Sequence, residues 1–477
     1  MLKRYGLVAT VLMMAIGAGA RWRRFLRPMP TPAGTCPVPL AWSDAEKIPV
    51  IGLAPRLKSI ITDPVGLIIG NQKAHGDFFT LRLPTIYDLT ILFGAEHYQK
   101  ILSLPTDHAG VGEVLHRVPT VGFWFPRTDN GPDTLQALIV TGRRIIATLL
   151  TPARVSEIPA RAAAIAERHS AQWTDLVDLT EVIHPIVYEV TCRYFVGDAV
   201  WDNIGERLTH FYRHICDGID VPRSALAVTP FHYFMPEHRH TRKLYRMLRD
   251  SWTDFQHCDS PLMAAINAAR LNGQELTHAD KMWMFMYVLW NATAYPGAYT
   301  YWTLVDVLTH PGVYTHVQAT YDQSERLEYL QRCLAESVRM YPVASLVRYL
   351  YKPYEFKHRG TTYHIPAGNG VAVVPGALNR DLTQIPDNPD CYDPDRYLRT
   401  PAPSLSSFGR GPFGCVAERF SKIVTASIID QLLSQYSMDI VADIPTRRQR
   451  VHQTYPGSPL PVALTPAPAI HKSFAHS

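Results

Sequence analysis

Little in this chain points to a disulfide framework. Its 477 residues hold seven cysteines at irregular spacings, with no C-x-x-C pair. A stapled secreted scaffold and a four-cysteine zinc module are therefore not expected, and a reducing, cytosol-facing setting is. Net charge is equally meagre: 47 Lys+Arg against 42 Asp+Glu leave +5, spread along the chain. So weak an excess implies no nucleic-acid partner. No Gly/Ser-rich or charged linker divides the interior and no internal repeat is present, so one large unit is expected, although the length would admit two or three domains. Histidine is plentiful, at 20, but shows no ligand spacing: His238 and His240 stand two apart and diverge on a helix, and His257-Cys258 has no partner pair. No zinc site is expected. What is abundant is apolar content, 47% against 19% charged, enough for a large core.

The N-terminus carries a separate signal. Lys3 and Arg4 precede an apolar run of 16 residues, YGLVATVLMMAIGAGA, and Arg21, Arg23, Arg24 and Arg27 follow it. The run is at the short end for a membrane span, and its small-residue end also fits a signal-peptide cleavage site. The dense positive charge behind it favours a retained anchor and a cytoplasmic body. Residues 1–27 are read as anchor and basic flank. Residues 28–44, with Pro28, Pro30, Pro32, Pro37 and Pro39, are read as a semi-rigid hinge, and 45–477 as the body. The basic run PEHRHTRKLYRMLRD after FHYFMP reads as a solvated helix face, with membrane-interface contact as a further reading.

Cys415 stands apart from the other cysteines. It lies in SSFGRGPFGCVAERFSKIV, where three glycines and an aromatic precede a helical segment. Small residues let backbone amides approach a sulfur, and a helix N-terminus stabilises a thiolate. Such a sulfur is a nucleophile, a metal ligand or an inert buried thiol. Upstream, Glu336 and Arg339 share one helix face in QRCLAESVRMYPV. Between the two, Arg396 sits in the Pro-containing segment DNPDCYDPDRYL.

In order and separation, these three elements resemble the cytochrome P450 haem-thiolate family, of the microsomal type and in style similar to fungal specialised-metabolism members. The family's F-x-x-G-x-x-x-C-x-G/A loop is met by Phe408, Gly411, Cys415 and Ala417, and its E-x-x-R pair by Glu336 and Arg339. Its F-x-P-x-R-F segment is met by Tyr392, Pro394, Arg396 and Tyr397. The resemblance covers roughly residue 45 to the end. It implies a mainly α fold with a small β region behind a single N-terminal membrane anchor. It further implies that Cys415 is the axial ligand of a haem b iron, with Phe408, Gly411 and Arg410 in the haem loop. Glu336, Arg339 and Arg396 would form a buried charge triad bracing that loop. Haem propionates need cationic donors; Arg348 is one candidate, and Arg410, Arg143 or Arg144 compensate for Phe413, which stands where the family often has Arg or His.

The distal helix departs from the family's [AG]-G-x-[DE]-T. Counting back from His310-Pro311 puts Ala294 at the acid's place and Tyr295 at the threonine's, with Thr293 just before and Pro296 just after. The resemblance implies pocket walls from Phe123, Trp124, Trp290 and Leu346, few of them charged, and hence a lipophilic small-molecule substrate. The implied activity is a monooxygenase of secondary metabolism in the endoplasmic reticulum membrane, single-pass with a cytosolic catalytic domain. It would draw electrons from NADPH-cytochrome P450 reductase, with cytochrome b5 as a second donor. Because the acid–threonine pair is missing, an isomerase or dehydratase using a peroxide-type substrate without reductase is the alternative; a haem-binding protein without turnover is a third.

Overall fold

The strands expected in HGDFFTLRLPTIYDLTIL form a hairpin: β1 (Phe78–Leu83) pairs antiparallel with β2 (Tyr87–Leu92), Phe78 opposite Leu92 and Leu81 opposite Leu89. The structure, a computed structural model, describes residues 27, 29–41, 64–83, 87–117, 131–217, 234–343, 345–399, 407–449, 454–455 and 458–467. The hairpin belongs to the first of two units, whose described residues fall within 1–114 and 345–374. Around it stand helices α1 (Pro64–His75) and α2 (Ala95–Leu102), and Gly94, at φ 95°, makes the turn into α2. Strands β3 (Leu346–Leu350) and β4 (Gly370–Val373) complete the sheet in the order β1-β2-β4-β3, with Ala109–Gly110 at its edge. Strand β4 runs parallel to β2 and antiparallel to β3, and all four of its residues are buried. The strand alternation read in the sequence is only partly kept, since Phe78, Phe79, Thr80 and Leu81 are all buried. Thr80 and Thr90 solve the polar problem by pairing their hydroxyls at 2.9 Å.

The two strands expected in GTTYHIPAGNGVAVV both form but enter different sheets. Thr361–Ile365 pairs with Tyr354–His358 and with Cys36–Pro37, whereas Gly370–Val373 is β4. Part of the expected proline hinge is thus sheet: Cys36 and Pro37 pair parallel with Tyr363 and His364, and Ala41 N–H donates to the Thr80 carbonyl at 3.0 Å. Proline is tolerated there because an edge strand leaves one row of amides unused. The anchor expected over 1–27 lies outside the described residues but for Arg27. Among the described residues no helix is long and apolar enough to cross a membrane.

The second unit, within 115–344 and 375–477, is helical. Its principal helices are α3 (Pro132–Leu149), α4 (Ile158–Ser170), α5 (Leu179–Val196), α6 (Asp198–Asp217), α7 (Pro236–Gln256), α8 (His278–Thr309), α9 (Gln323–Met340) and α10 (Glu418–Gln435). The spine is α8, 32 residues or roughly 48 Å at 1.5 Å per residue. The Thr277 hydroxyl accepts from the Asp280 amide while the Asp280 carboxylate accepts from the Thr277 amide, both at 3.2 Å, a reciprocal cap. Apolar residues all round α8 require burial on every side, and α3, α5, α9 and α10 pack against it. It runs unbroken through Pro296 and ends at Thr309, one residue before the expected His310-Pro311 junction. A small antiparallel sheet of Tyr436–Ile440, Pro461–Pro466 and Leu176–Asp178 ties the C-terminal strands to the start of α5.

Candidate functional site

The last turn of a helix leaves carbonyls without intrahelical partners, and at the end of α9 each finds one. Ser337 O accepts from the Tyr341 amide, Val338 O from Ser407 Oγ at 3.1 Å, Arg339 O from Asn379 Nδ2 at 2.9 Å and Met340 O from Arg380 at 2.8 Å. Asn379 Nδ2 also reaches Ser407 Oγ at 2.9 Å. The helix end is thereby tied to Ser407, the residue before Phe408 of the glycine-rich loop.

On the same turn Glu336, Arg339 and Arg396 meet, as the sequence implied, with relative exposures of 0%, 0% and 2%. The Glu336 carboxylate accepts two bonds from Arg339 (2.8 and 2.7 Å) and one each from Arg396 Nε (2.9 Å), Tyr397 Oη (3.1 Å) and the Asp393 amide (3.0 Å). The remaining guanidinium hydrogens go to main-chain carbonyls: Arg339 to Asn379, Pro389 and Cys391, Arg396 to Asp387, Asn388 and Cys391. Two buried cations on one carboxylate are tolerable because nearly every hydrogen has an oxygen. The network stitches residues 379–397 onto α9. Burial among these charges raises the Tyr397 and Tyr392 pKa values.

The loop itself turns on Gly409 and Gly411, at φ 70° and 64°, conformations that side chains with Cβ rarely adopt. A Cβ on Gly414 would stand 3.2–3.4 Å from the Arg410 backbone, so the chain doubles back closely there. Cys415 N–H donates to Phe408 O at 2.7 Å and closes the loop, and α10 starts three residues later at Glu418. The Cys415 thiol is exposed, yet protein atoms crowding its flanks desolvate it and raise its pKa; the Ala417 amide and the Arg143 guanidinium pull the other way, and Glu418 adds to the rise. Arg143, on α3, donates to the Gly414 carbonyl and so sits beside the sulfur; burial lowers its own pKa. Behind it lies Tyr287 of α8, whose phenol burial pushes up to about 12.

These donors fit a thiolate-bound iron porphyrin. The amide and guanidinium favour S⁻ while desolvation opposes it, and a bound cation would favour the thiolate further. Charge around the loop is otherwise modest: Arg410 and Arg419 are exposed, and Lys422 pairs with Glu418 at 2.6 Å while lying 5.6 Å from the Phe408 ring.

The distal positions lie on α8 as expected. Thr293 is fully buried and its hydroxyl donates back to the Leu289 carbonyl at 2.8 Å; Ala294 is 2% exposed. Tyr295 is half-buried, its ring edge-on to Trp290 at 6.1 Å. Asn291 caps its own helix turn through the Tyr287 carbonyl at 2.7 Å. Phe123 and Trp124 fall outside the described residues. Arg348 and Leu346 stand on β3 of the first unit, Arg348 buried and Leu346 half-buried.

Several site residues went unread in the sequence. Asn379 and Ser407 carry no motif; only the helix end they satisfy reveals them. Asp306, an acid in the apolar C-terminal half of α8, is another: it accepts from Ser337 Oγ at 2.6 Å and pairs with Arg447, whose guanidinium covers the Tyr341 and Trp302 rings at 3.7 and 4.4 Å. The reading that the histidines show no ligand spacing is corrected: His210, His214 and His240 come together, and the four-residue spacing of the first two was the missed signal.

Comparison with known proteins agrees with this geometry. A family model for cytochrome P450 matches residues 165–458. The chain is 24% identical over 313 residues to obtusifoliol 14-alpha demethylase of Sorghum bicolor, covering 59% of this chain and 62% of that protein, less than two thirds of its length. It is 32% identical over 134 residues to sterol 14-demethylase of Arabidopsis thaliana, covering 26% and 27%. Retinoic acid bound cyanobacterial CYP120A1 shares the fold, with a TM-score of 0.71 at 16% identity over 86% of this chain and 96% of that one. With a family match across more than half its length, the chain belongs to the cytochrome P450 family, whose fold carries a cysteine-ligated haem.

Proposed function

We propose that the protein is a haem-thiolate monooxygenase that oxidises a lipophilic small molecule in specialised metabolism, fed by an NADPH-dependent reductase with cytochrome b5 as a second donor. The observation that carries this reading is Cys415, held in a glycine turn by its own amide bond to Phe408 and backed by the triad network. When bound, haem would supply reductive oxygen activation, which electron donation from a cysteine thiolate ligand favours. The chain's own residues do the rest. The Ala417 amide and Arg143 stabilise the sulfur's negative charge. Glu336, Arg339, Asn379 and Ser407 fix the loop that presents it. Exposed Arg410 and Arg419 offer positive charge to an acidic reductase surface. The sterol substrates named for the demethylase relatives support a lipophilic ligand, and the charge flanks of the N-terminal run support an endoplasmic reticulum anchor with a cytosolic body.

One observation favours the second reading, an isomerase or dehydratase working without reductase. Ala294 has no titratable group, and the Thr293 hydroxyl is committed to a main-chain carbonyl. If the enzyme is a monooxygenase, the substrate's hydroxyl or an ordered water must hold the proton that Thr293 does not offer. The test is product formation from a library of lipophilic metabolites, with and without NADPH and reductase. Product that requires both supports the monooxygenase; product from a hydroperoxide or endoperoxide with neither transfers the case to the isomerase. In either case Cys415→Ala must abolish the red-shifted ferrous carbonyl band that thiolate ligation gives.

A further inference from the structure

Three imidazoles from two helices converge in the second unit, far along the chain from Cys415. His210 and His214 stand one turn apart on α6, and His240 faces them from the first turns of α7. The His214 and His240 rings stack at 4.4 Å and 15°, His210 meets His214 at 4.5 Å and 74°, and His210 meets His240 at 5.5 Å. Each offers one ring nitrogen, and the three nitrogens all lie within 4.8 Å of one another. His240 Nδ1 is buried and has no hydrogen-bond partner. A buried nitrogen lone pair or N–H left unpaired is costly, and either a proton donor or a metal would relieve it.

We propose that His210, His214 and His240 form a zinc site that clips α6 to α7, its fourth position left to water. Two histidines at i, i+4 present their rings on one helix face, the arrangement by which helices hold zinc. Zinc–nitrogen bonds of about 2.0–2.1 Å in a tetrahedron set ligand nitrogens roughly 3.4 Å apart. The cluster must therefore contract by up to about 1.4 Å, from separations within 4.8 Å, by side-chain rotation of the two exposed residues, His210 and His214. An all-imidazole set selects borderline cations such as zinc and rejects magnesium and calcium, which require oxygen donors. Arg239 and Lys243 of α7 lie close enough to disfavour a cation near His240. Neutral imidazole is the form that ligates. The first pair of ligands is open to solvent, so the ion has a path in.

The test uses the purified, haem-loaded full chain, stripped with a chelator and dialysed against radioactive zinc chloride. One zinc per chain is expected, retained through gel filtration. His214→Ala and His240→Ala should each weaken binding at least tenfold, while His257→Ala, an exposed histidine just past α7, should leave it unchanged. Circular dichroism establishes that each variant is folded; His214→Asn and His240→Gln replace any that is not. Magnesium at millimolar concentration should not compete. Absence of stoichiometric zinc in the parent protein overturns the site, as does zinc retained in the folded His210→Ala/His214→Ala protein. Neither outcome touches the reading of Cys415.

Discussion

Replacing Glu336 by Gln keeps the side chain's shape and removes its charge. In the structure that one carboxylate accepts five hydrogen bonds, three of them from the guanidiniums of Arg339 and Arg396, with all three side chains essentially inaccessible to water. Hydrogen bonds to charged groups are worth about 1.5–3 kcal/mol each, so simple addition over all five would rival the whole stability of a typical domain, about 5–15 kcal/mol. The sum overstates the loss. Arg339 keeps the Asn379, Pro389 and Cys391 carbonyls, and Arg396 keeps those of Asp387, Asn388 and Cys391. The amide can still accept through one oxygen. What remains is two buried cations without a counter-charge, and breaking such a network costs about 3–5 kcal/mol. Urea unfolding of Glu336→Gln should therefore show a loss of unfolding free energy of that size. The purified protein should be poor in haem, because the helix end that carries the triad also holds Ser407, the residue before Phe408 of the Cys415 loop. Glu336→Ala should be worse still. A variant that is stable and fully haem-loaded but inactive would refute the structural role and place Glu336 in the chemistry.

Asn379→Ala removes the only side-chain cap on the Arg339 carbonyl seen in the described residues and one of the ties to Ser407; it should cost about 1–3 kcal/mol and lower haem retention on gel filtration, whereas Arg380→Ala, at a more exposed position, should cost less. His184, buried on α5, has its pKa lowered from 6.5 to about 4, first by desolvation and then by Arg213. The unfolded chain then binds the extra proton between those values. Stability should accordingly fall as pH drops from 6.5 toward 4, by up to about 3 kcal/mol from this group. His184→Leu should flatten that part of the unfolding curve; an unchanged slope would refute the assignment. Ala294→Asp with Tyr295→Thr restores the family's acid–alcohol pair, which elsewhere contributes about 10²–10⁴-fold as positioned proton donors do. Little gain in coupled product is expected here, since the site works with another donor. A large gain would show that the relay was merely lost.

The E-x-x-R pair, the Tyr392–Tyr397 segment and the Cys415 loop were readable together because their order and separation resemble the cytochrome P450 family, and the local chemistry of the pair and the loop is consistent with that resemblance. Helix spacing puts Glu336 and Arg339 on one face, positive φ demands Gly409 and Gly411, and a thiolate needs amides close by. The long apolar α8 was readable for a similar reason, since only a central position suits a helix with no polar face. Its failure to carry an acid–threonine pair was equally visible, because that absence is a fact of sequence order.

Other features depended on which segments meet. Asn379 and Ser407 matter because they lie against the end of α9, about 40 and 70 residues away in sequence, and nothing in their neighbours announces it. Arg143 became part of the sulfur's environment only once α3 was placed beside Gly414, 271 residues on. Cys36 and Pro37 looked like spacer until a strand more than 300 residues later offered them an edge. The histidine cluster needed α6 and α7 to face one another before His240 could join His210 and His214. Chain order alone determined the backbone conformations and charges that single segments require. Which buried donor meets which orphaned acceptor was decided by packing, because hydrogen bonds and ion pairs act over a few ångströms and only the folded chain brings such distances about.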